Sequence, residues 1–464
     1  MGAHPPTTPP PARRVLDQFF NRMTKDRFAR QLMRRLKAAD GVGRVEYDRE
    51  NFRLVIDSGQ YINLANFYDE HRRLPKEDRA DHLASILQGV FQSGFQLPED
   101  LDDARPDLLP KVWPRAAFDR IDLKARAEGR PTAPLAAVPL GEHLYLGVVY
   151  DLPRSVRMIS QADLDAWDTT LYEALEVATD NLRERQIQVA QIGGKPDEPQ
   201  TEPFGGGLAD SPDDSGEDFE AYDPEAEFAA NTPRVFIFST GDSYDATRVI
   251  LLPDLDQLNL NGRPVALAPN RDVLLVTGDD DEAGLTVLST LASQMYDGEP
   301  RPHVPMCVSH DGEDWVDFRV PDSHPAYEAL HALEVRYLSE EYAEQKPILE
   351  ELQKSPGRGE GLYVAAPIVV QAEDGRMQSH AVWADGVPAL LPKADVIGFM
   401  RGGVEAAAGQ DPGGESADVV RCPWKDVAAV LDDLLVPEPD LYPPRWRVTE
   451  FPSDLALKIL TEDE

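Results

Sequence analysis

Three aspartates follow apolar, strand-like runs of the 464-residue chain and could bind a metal ion. Asp151 ends the run VVYD, Asp242 comes shortly after FIFST, and Asp279 follows LLVTG. Carboxylates gathered at strand ends can hold Mg²⁺, which binds through one or two carboxylates plus substrate phosphates. The competing interpretation is that these aspartates cap the turns and helices that follow, where a carboxylate accepts bonds from free N–H groups. Capping is favoured, because nothing in the sequence indicates that the three strand ends converge.

A second candidate site lies within a single short segment. Asp242, Tyr244, Asp245 and Arg248 could bind a polar ligand through two carboxylates, a phenol and a guanidinium group. Alternatively, Arg248 pairs with one of the two aspartates and holds the turn in place. We favour the structural role and keep the four residues as ligand-binding candidates.

Histidines and cysteines give no metal-binding motif. His303, Cys307 and His310 are close in sequence, but on one strand they cannot meet a single zinc ion without bending, because side chains alternate between faces. The only other cysteine is Cys422, so a disulfide framework and a Cys-rich zinc site are both excluded. P-loop, G-x-S-x-G and H-E-x-x-H motifs are absent from the sequence. We therefore predict no cofactor, with Mg²⁺ expected only if the strand-end aspartates form a site.

The elements that position these residues can be predicted from hydrophobic periodicity. In the first third, Thr24 is expected to cap a helix with Phe28, Leu32 and Leu36 on one face. Residues 44–48 and 52–57 read as a hairpin, and the run LYLGVVYD at 144–151 as a buried strand.

The second half of the chain alternates between strands and helices. Strands are expected at 235–239, 265–268 and 272–277, and a hairpin joins 305–309 to 315–320. A long helix should follow from Pro325 to about Lys354, interrupted at Pro347. These elements together predict an α+β fold with mixed, largely antiparallel sheets flanked by helices.

The acidic composition restricts the classes of partner. The chain has 46 basic and 83 acidic residues, a formal net charge of −37, which disfavours binding to the phosphates of nucleic acids. No apolar run reaches the roughly 18 residues of a membrane-spanning helix, and no signal peptide is recognisable. We therefore expect a cytoplasmic protein whose partner is another, unknown protein.

Several short motifs resemble a known family. The strand VFIF at 235–238 with GDSYDATR at 241–248, and the strand PNRDVLLV at 269–276, are similar to segments of the YtpQ-like bacterial family of unknown function. The resemblance extends over residues 25–320. It implies that two halves of a core pack as one unit, and it implies no activity.

The organisation follows from these observations. We predict a disordered Pro-rich tail (1–12), a first core half (13–190), an acidic flexible linker (191–232), a second core half (233–322) and an accessory C-terminal α+β module (323–464). The first functional hypothesis is a non-enzymatic protein-binding or scaffold protein. The alternative is a metal-dependent hydrolase or phosphotransfer enzyme that uses Asp151, Asp242 and Asp279.

Overall fold

The computed structural model confirms an α+β fold with mostly antiparallel sheets. The predicted tail at 1–12 and residues 194–232 of the predicted linker lie outside the described residues, whereas residues 191–193 belong to a strand. The structure describes residues 24–37, 45–49, 52–56, 61–75, 78–91, 97–132, 134–152, 155–193, 233–255, 258–297, 303–354, 361–372, 375–401 and 419–462.

The chain forms two compact units. Unit 1 comprises residues 1–107 and 150–157, and unit 2 comprises residues 108–149 and 158–464. Unit 2 therefore contains both the segment predicted as the second core half and the segment predicted as the accessory module.

Within the described part of the chain, no helix combines the length and the apolar character needed to span a membrane.

Unit 1 is built around the predicted first helix. The Thr24 hydroxyl accepts a hydrogen bond from the Arg27 N–H at 3.2 Å, and Phe28, Leu32 and Leu36 are fully buried, so the cap and the apolar face are confirmed. The predicted hairpin forms two strands of a three-stranded antiparallel sheet, β1-β2-β3. The elements are α1 (Lys25–Lys37), β1 (Val45–Asp48), β2 (Arg53–Ile56), β3 (Tyr61–Asn63), α2 (Ala65–Arg73), α3 (Arg79–Phe91) and α4 (Leu101–Ala104).

Unit 2 begins with strands and helices that include the predicted buried strand. Its first sheet has the order β4-β6-β5, and Ser160 with Asp163 forms a capping box at the start of a helix. Strand β6 begins in unit 2 and ends in unit 1, and β7 begins in unit 1. The elements are β4 (Leu108–Pro114), α5 (Arg115–Ala127), β5 (Ala137–Leu140), β6 (Leu144–Leu152), β7 (Ser155–Met158), α6 (Gln161–Ala166) and α7 (Leu171–Arg183).

A six-stranded antiparallel sheet, β13-β12-β10-β11-β9-β8, carries most of the core of unit 2. Alternate residues of β10 face opposite sides: Val265 and Leu267 pack with helix α8, whereas Ala266 packs in a second cluster with Phe238. The predicted strands and the 305–320 hairpin are thus confirmed. The elements are β8 (Val189–Gly193), β9 (Arg234–Phe238), a 3-10 helix (Ala246–Asp254), β10 (Pro264–Asn270), β11 (Val273–Gly278), α8 (Glu282–Tyr296), β12 (Cys307–His310) and β13 (Trp315–Phe318).

The rest of unit 2 contains two four-stranded sheets around one long helix. Helix α9 continues through Pro347, because the buried Ile348, Leu349 and Leu352 anchor its last turns; the predicted interruption was wrong. The sheets have the orders β14-β17-β21-β20 and β15-β16-β18-β19. The elements are α9 (Tyr327–Gln353), β14 (Tyr363–Val364), β15 (Ile368–Gln371), β16 (Met377–Ala384), β17 (Ala389–Pro392), β18 (Val396–Met400), β19 (Val419–Pro423), α10 (Trp424–Val430), β20 (Val436–Glu438), β21 (Arg445–Val448) and α11 (Asp454–Glu462).

Candidate functional site

The structure brings the ligand-binding candidates Asp242, Tyr244, Asp245 and Arg248 together at the end of β9. We call Asp242, Asp245 and Arg248 the Arg248 cluster. The Arg248 guanidinium donates to Asp242 Oδ2 at 2.7 Å and to Asp245 Oδ1 at 3.0 Å. Arg248 and Asp245 are both fully buried. A buried charge of this kind is stable only when it is paired, as it is here.

The carboxylates of the Arg248 cluster also bind the backbone of their own turn. Asp245 accepts hydrogen bonds from the N–H groups of Thr240 and Gly241, at 2.9 and 3.1 Å, and Asp242 accepts one from Tyr244 at 3.0 Å. Burial raises the pKa of Asp242, but the hydrogen bond and the charge of Arg248 outweigh it, so the net pKa is below the ordinary value. All four carboxylate oxygens are therefore occupied, and the cluster holds the turn in place.

The structure does not bring the metal candidates Asp242 and Asp279 together. Strands β9 and β11 are antiparallel, with Phe238 opposite Leu274, so the segments that follow them leave at opposite ends of the paired strands. The first and last residues of β9, four positions apart, are separated by about 13 Å. Asp279 instead accepts hydrogen bonds from Arg263, at 2.6 Å from its N–H and 2.8 Å from Nε. The third candidate, Asp151, belongs to unit 1.

Three other residues of unit 2 form a cluster that the sequence analysis missed. One oxygen of Glu142, one nitrogen of His143 and one oxygen of Asp317 all lie within 4.8 Å of one another. We call these residues the His143 cluster. Glu142 and His143 lie in the turn between β5 and β6, and Asp317 is on β13.

A glycine makes the approach of these segments possible. Gly141 has a φ of +66°, and a Cβ at this position would lie 2.5 Å from Asp317 Oδ1. The next residue, Glu142, donates its N–H to the two Asp317 oxygens at 3.1 and 3.2 Å. The turn is thus fastened to the strand that supplies the second carboxylate.

The imidazole of His143 is held in place by Tyr442. It is 3% exposed, and its Nδ1 lies 2.6 Å from the Tyr442 hydroxyl oxygen. Its Nε2 is buried without a hydrogen-bond partner among the described residues and lies 3.9 Å from Asp317 Oδ2. Burial lowers the pKa of His143 against the opposing charges of Asp317 and Glu142, which favours the neutral imidazole. Neutral imidazole is the form that binds metals.

Two residues of the cluster, His143 and Asp317, line a cleft of about 350 Å³, which we call the His143 cleft. A neighbouring cavity of about 280 Å³, here the Trp424 cavity, shares four lining residues with it. These shared residues are His331, Glu334, Lys393 and Asp395.

A second histidine, His331, lines both cavities, and its pKa is raised whereas that of His143 is lowered. His331 Nε2 lies 3.3 Å from Asp395 Oδ1, and the Tyr327 ring stacks on the imidazole at 5.3 Å. Asp395 Oδ2 accepts hydrogen bonds from the Ser379 N–H at 2.7 Å and from its hydroxyl at 2.8 Å. The hydrogen bond with Asp395 raises the pKa of His331, although burial opposes it. His331 is therefore more often protonated near neutral pH than a free histidine.

The His143 cluster offers the donors for a divalent metal ion. One imidazole nitrogen with two carboxylate oxygens suits Zn²⁺, Mn²⁺ or Fe²⁺ better than Mg²⁺, which takes oxygen ligands. Three protein ligands leave coordination positions for water or substrate, as in catalytic zinc sites. A hydrogen bond to the second nitrogen of the ligating histidine is a common feature of such sites, and Tyr442 supplies it here.

Cys307 and His303, which the sequence analysis considered as zinc ligands, are buried side chains with strongly shifted pKa values. Burial raises the pKa of the Cys307 thiol to about 12 and lowers the pKa of His303 to about 4. Cys307 is thus a packed, unreactive side chain. Glu142 and Asp317 are 175 residues apart, so no short spacing motif could have revealed their approach.

Comparison of the chain with protein families, with curated proteins and with solved structures found no match.

Proposed function

We propose that this chain is a metal-dependent hydrolase whose divalent ion is held by Glu142, His143 and Asp317. One observation carries the proposal: three donor atoms lie within 4.8 Å, and one of them is a buried imidazole nitrogen without a hydrogen-bond partner among the described residues. A buried polar atom that lacks a partner is costly, and His143 Nε2 differs from other such atoms, for example Arg248 Nε, because it lies with two carboxylate oxygens and belongs to a residue that lines a cleft. This site replaces the strand-end aspartates of the alternative hypothesis.

The chemistry follows from the donor set and the cleft. Glu142, His143 and Asp317 would hold a Zn²⁺ ion, which would supply Lewis acidity and an activated water at neutral pH. His143, held by Tyr442, fixes one side of the site, and Asp317 is held by the Glu142 N–H. The His143 cleft, at about 350 Å³, provides room for a small substrate group beside these residues.

Calorimetric titration with Zn²⁺, Mn²⁺ and Mg²⁺ tests the binding step. The intact chain should bind Zn²⁺ and Mn²⁺ more tightly than Mg²⁺, and both His143→Gln and Asp317→Asn should weaken binding. Asp272→Asn is the matched control, because this aspartate is half-exposed in the turn between β10 and β11. No heat with any of the three ions, or equal heat in Asp317→Asn and the intact chain, overturns the proposal.

The hydrolytic step is tested separately with chromogenic esters. The Zn²⁺- or Mn²⁺-loaded chain should release nitrophenol from p-nitrophenyl phosphate or p-nitrophenyl acetate, and His143→Gln should abolish the release. If the ion binds and neither ester is cleaved above the rate with free ion, the site is a metal-binding site without hydrolase activity towards these ester classes.

The scaffold hypothesis is the second candidate, and one edge strand favours it. Strand β15 pairs with β16 alone among the described strands, and its residues Ile368 and Val369 are 37% and 36% exposed. An open edge with apolar side chains can accept an extended segment of a partner as an added strand. On this proposal the chain is a cytoplasmic member of the YtpQ-like family that binds another protein.

Substitution at the edge tests the scaffold candidate. Val369→Lys places a charge on the edge strand and should abolish capture of a specific partner, whereas Val436→Lys on another exposed strand serves as the control. A partner retained equally by the intact chain and Val369→Lys contradicts binding at this edge.

A further inference from the structure

The Trp424 cavity differs in charge from the chain that surrounds it. Two lysines, Lys393 and Lys425, line it together with His331. In a chain with a formal net charge of −37, such a group of basic side chains around one cavity is unexpected from composition. It therefore requires its own explanation.

The acidic residues that face this cavity already have partners. Asp395 faces His331 at 3.3 Å, and Glu334 accepts a hydrogen bond from Arg319 at 2.7 Å. Neither Lys393 nor Lys425 has an ion pair or a side-chain hydrogen bond with any described residue, in contrast to Lys354, which pairs with Glu351 at 2.9 Å. The exposed ammonium groups of Lys393 and Lys425 are therefore the charges at this cavity that have no partner among the described residues.

Two serines also line the cavity. The Ser339 hydroxyl is buried and has no hydrogen-bond partner within the described part of the chain. Ser379 fixes Asp395 through two hydrogen bonds and thereby fixes the position of His331. Ammonium groups bind the oxygens of an anion through charge-assisted hydrogen bonds, and a protonated imidazole nearby adds to the favourable charge.

We propose that the Trp424 cavity is a binding site for an anionic group, a phosphate or a carboxylate, with Lys393 and Lys425 as its donors and with His331, which is paired with Asp395, as an adjoining titratable group. Since this cavity shares four lining residues with the His143 cleft, the assignment also names the substrate class of the proposed hydrolase: a molecule with an anionic group at some distance from its scissile bond. That second statement rests on the proposed function, whereas anion binding by itself does not.

The state of His331 supports the site and predicts its pH dependence. Asp395, Glu334 and Asp322 raise the pKa of His331, and burial opposes them. An anion should therefore bind more tightly as the pH falls from 8 to 6, when His331 gains its proton. Sulfate, which does not titrate in this range, is the suitable probe for this dependence.

The binding experiment uses the full chain without metal. With EDTA present, inorganic phosphate and malonate are titrated separately by calorimetry into the intact chain, Lys393→Gln, Lys425→Gln and the matched surface control Lys354→Gln. We expect saturable binding in the intact chain, a roughly tenfold loss in each of the first two variants, and no change in the control. Tighter binding of phosphate assigns a phosphate-bearing substrate, and tighter binding of malonate a carboxylate-bearing one.

Two outcomes overturn the anion site. One is the absence of saturable binding of both probes to the intact chain; the other is equal binding by the intact chain and Lys393→Gln. His331→Gln provides the pH arm, in which the sulfate affinity should lose its dependence between pH 8 and 6.

His143→Gln separates this inference from the proposed function. It should abolish metal binding and leave phosphate binding in EDTA unchanged. If the intact chain binds phosphate and no metal, the anion site stands and the hydrolase proposal fails. If metal binds and no anion does, the reverse holds.

Discussion

The Arg248 cluster and the His143 cluster of unit 2 both combine carboxylates with a nitrogen base, and each has one buried nitrogen without a partner among the described residues: Arg248 Nε and His143 Nε2. Within the Arg248 cluster, every carboxylate oxygen accepts a hydrogen bond from the chain itself, and the guanidinium can only donate. Within the His143 cluster, the imidazole Nε2 is buried without a partner among the described residues, beside a cleft. The same residue types thus close a turn in one place and leave a donor set open in the other.

The difference shows what separates a structural ionic cluster from a candidate site. Asp242, Asp245 and Arg248 lie within seven consecutive residues, so the local turn supplies most of their hydrogen bonds; the Gln186 carbonyl oxygen, at 3.3 Å from Arg248, is the contribution of another segment. The His143 cluster needs a turn, a strand and Tyr442 from a distant segment, and a glycine to let them approach. Residual bonding capacity beside a cavity, more than the number of charged residues, indicates where a ligand can bind.

Removal of the guanidinium from the Arg248 cluster should have the largest effect. Arg248→Met leaves Asp245 fully buried without its cation, and loss of one partner of a buried pair costs about 3–5 kcal/mol. We expect the free energy of unfolding from urea titration to fall by this amount. A loss below about 1 kcal/mol would show that the backbone N–H groups of Thr240 and Gly241 suffice to stabilise the carboxylate.

A smaller effect is expected from the residue that orients His143. Tyr442→Phe removes the hydroxyl 2.6 Å from His143 Nδ1 and keeps the ring. Loss of such an outer hydrogen bond typically weakens metal binding by about 10–100-fold, so the calorimetric affinity for Zn²⁺ should fall in this range. Tyr172→Phe is the control, because this side chain is 73% exposed. Equal affinities in Tyr442→Phe and the intact chain would mean that the hydroxyl does not orient the imidazole.

Sequence reasoning predicted the elements better than the site, for a physical reason. The cap at Thr24, the capping box at Ser160 and the antiparallel hairpin 307–318 depend on contacts between residues close in sequence. The pairing of Arg248 with its aspartates was predicted as one alternative for the same reason. Periodicity and turn chemistry record such local preferences directly.

The His143 cluster lay beyond this kind of prediction. Its contacts join residues that are 175 and 299 positions apart in the sequence. Contacts at such separations depend on how whole sheets pack. The interruption predicted at Pro347 failed similarly: the local cost of a proline in a helix is outweighed by the buried Leu349 and Leu352. The one local signal was Gly141 before Glu142 and His143, which is not specific enough to identify a site.

The His331–Asp395 pair should give a modest, pH-dependent contribution to stability. The pKa of His331 is raised from 6.5, so its contribution is present below pH 6.5 and is lost as the pH rises through the folded-state pKa. The pKa of Asp395 is lowered from 3.8, so its contribution is present above pH 3.8 and is lost as the pH falls through the folded-state pKa. Both contributions are therefore present between these two ordinary values.

Urea titrations of the intact chain and His331→Gln between pH 5 and 8 measure this contribution. The difference in unfolding free energy should be largest near pH 5 and should decrease above pH 6.5. Subtraction of the two curves removes the opposite effects of His71, His143, His303 and His380, whose pKa values are lowered chiefly by burial. A difference that grows with rising pH would contradict the direction assigned to His331.

The smallest effect is expected at a pair in which the cation is exposed. Arg263 donates to Asp279 from its N–H and Nε, but the Arg263 side chain is 56% exposed whereas that of Arg248 is fully buried. Arg263→Met should therefore change the free energy of unfolding by only about 0–1 kcal/mol, because water screens the exposed guanidinium and Asp279, itself 13% exposed, keeps its hydrogen bond from the backbone N–H of residue 263. The measurement is the same urea titration, with Arg248→Met as the matched variant. If the two substitutions lower the free energy of unfolding equally, burial does not explain why the Arg248 cluster stabilises the fold.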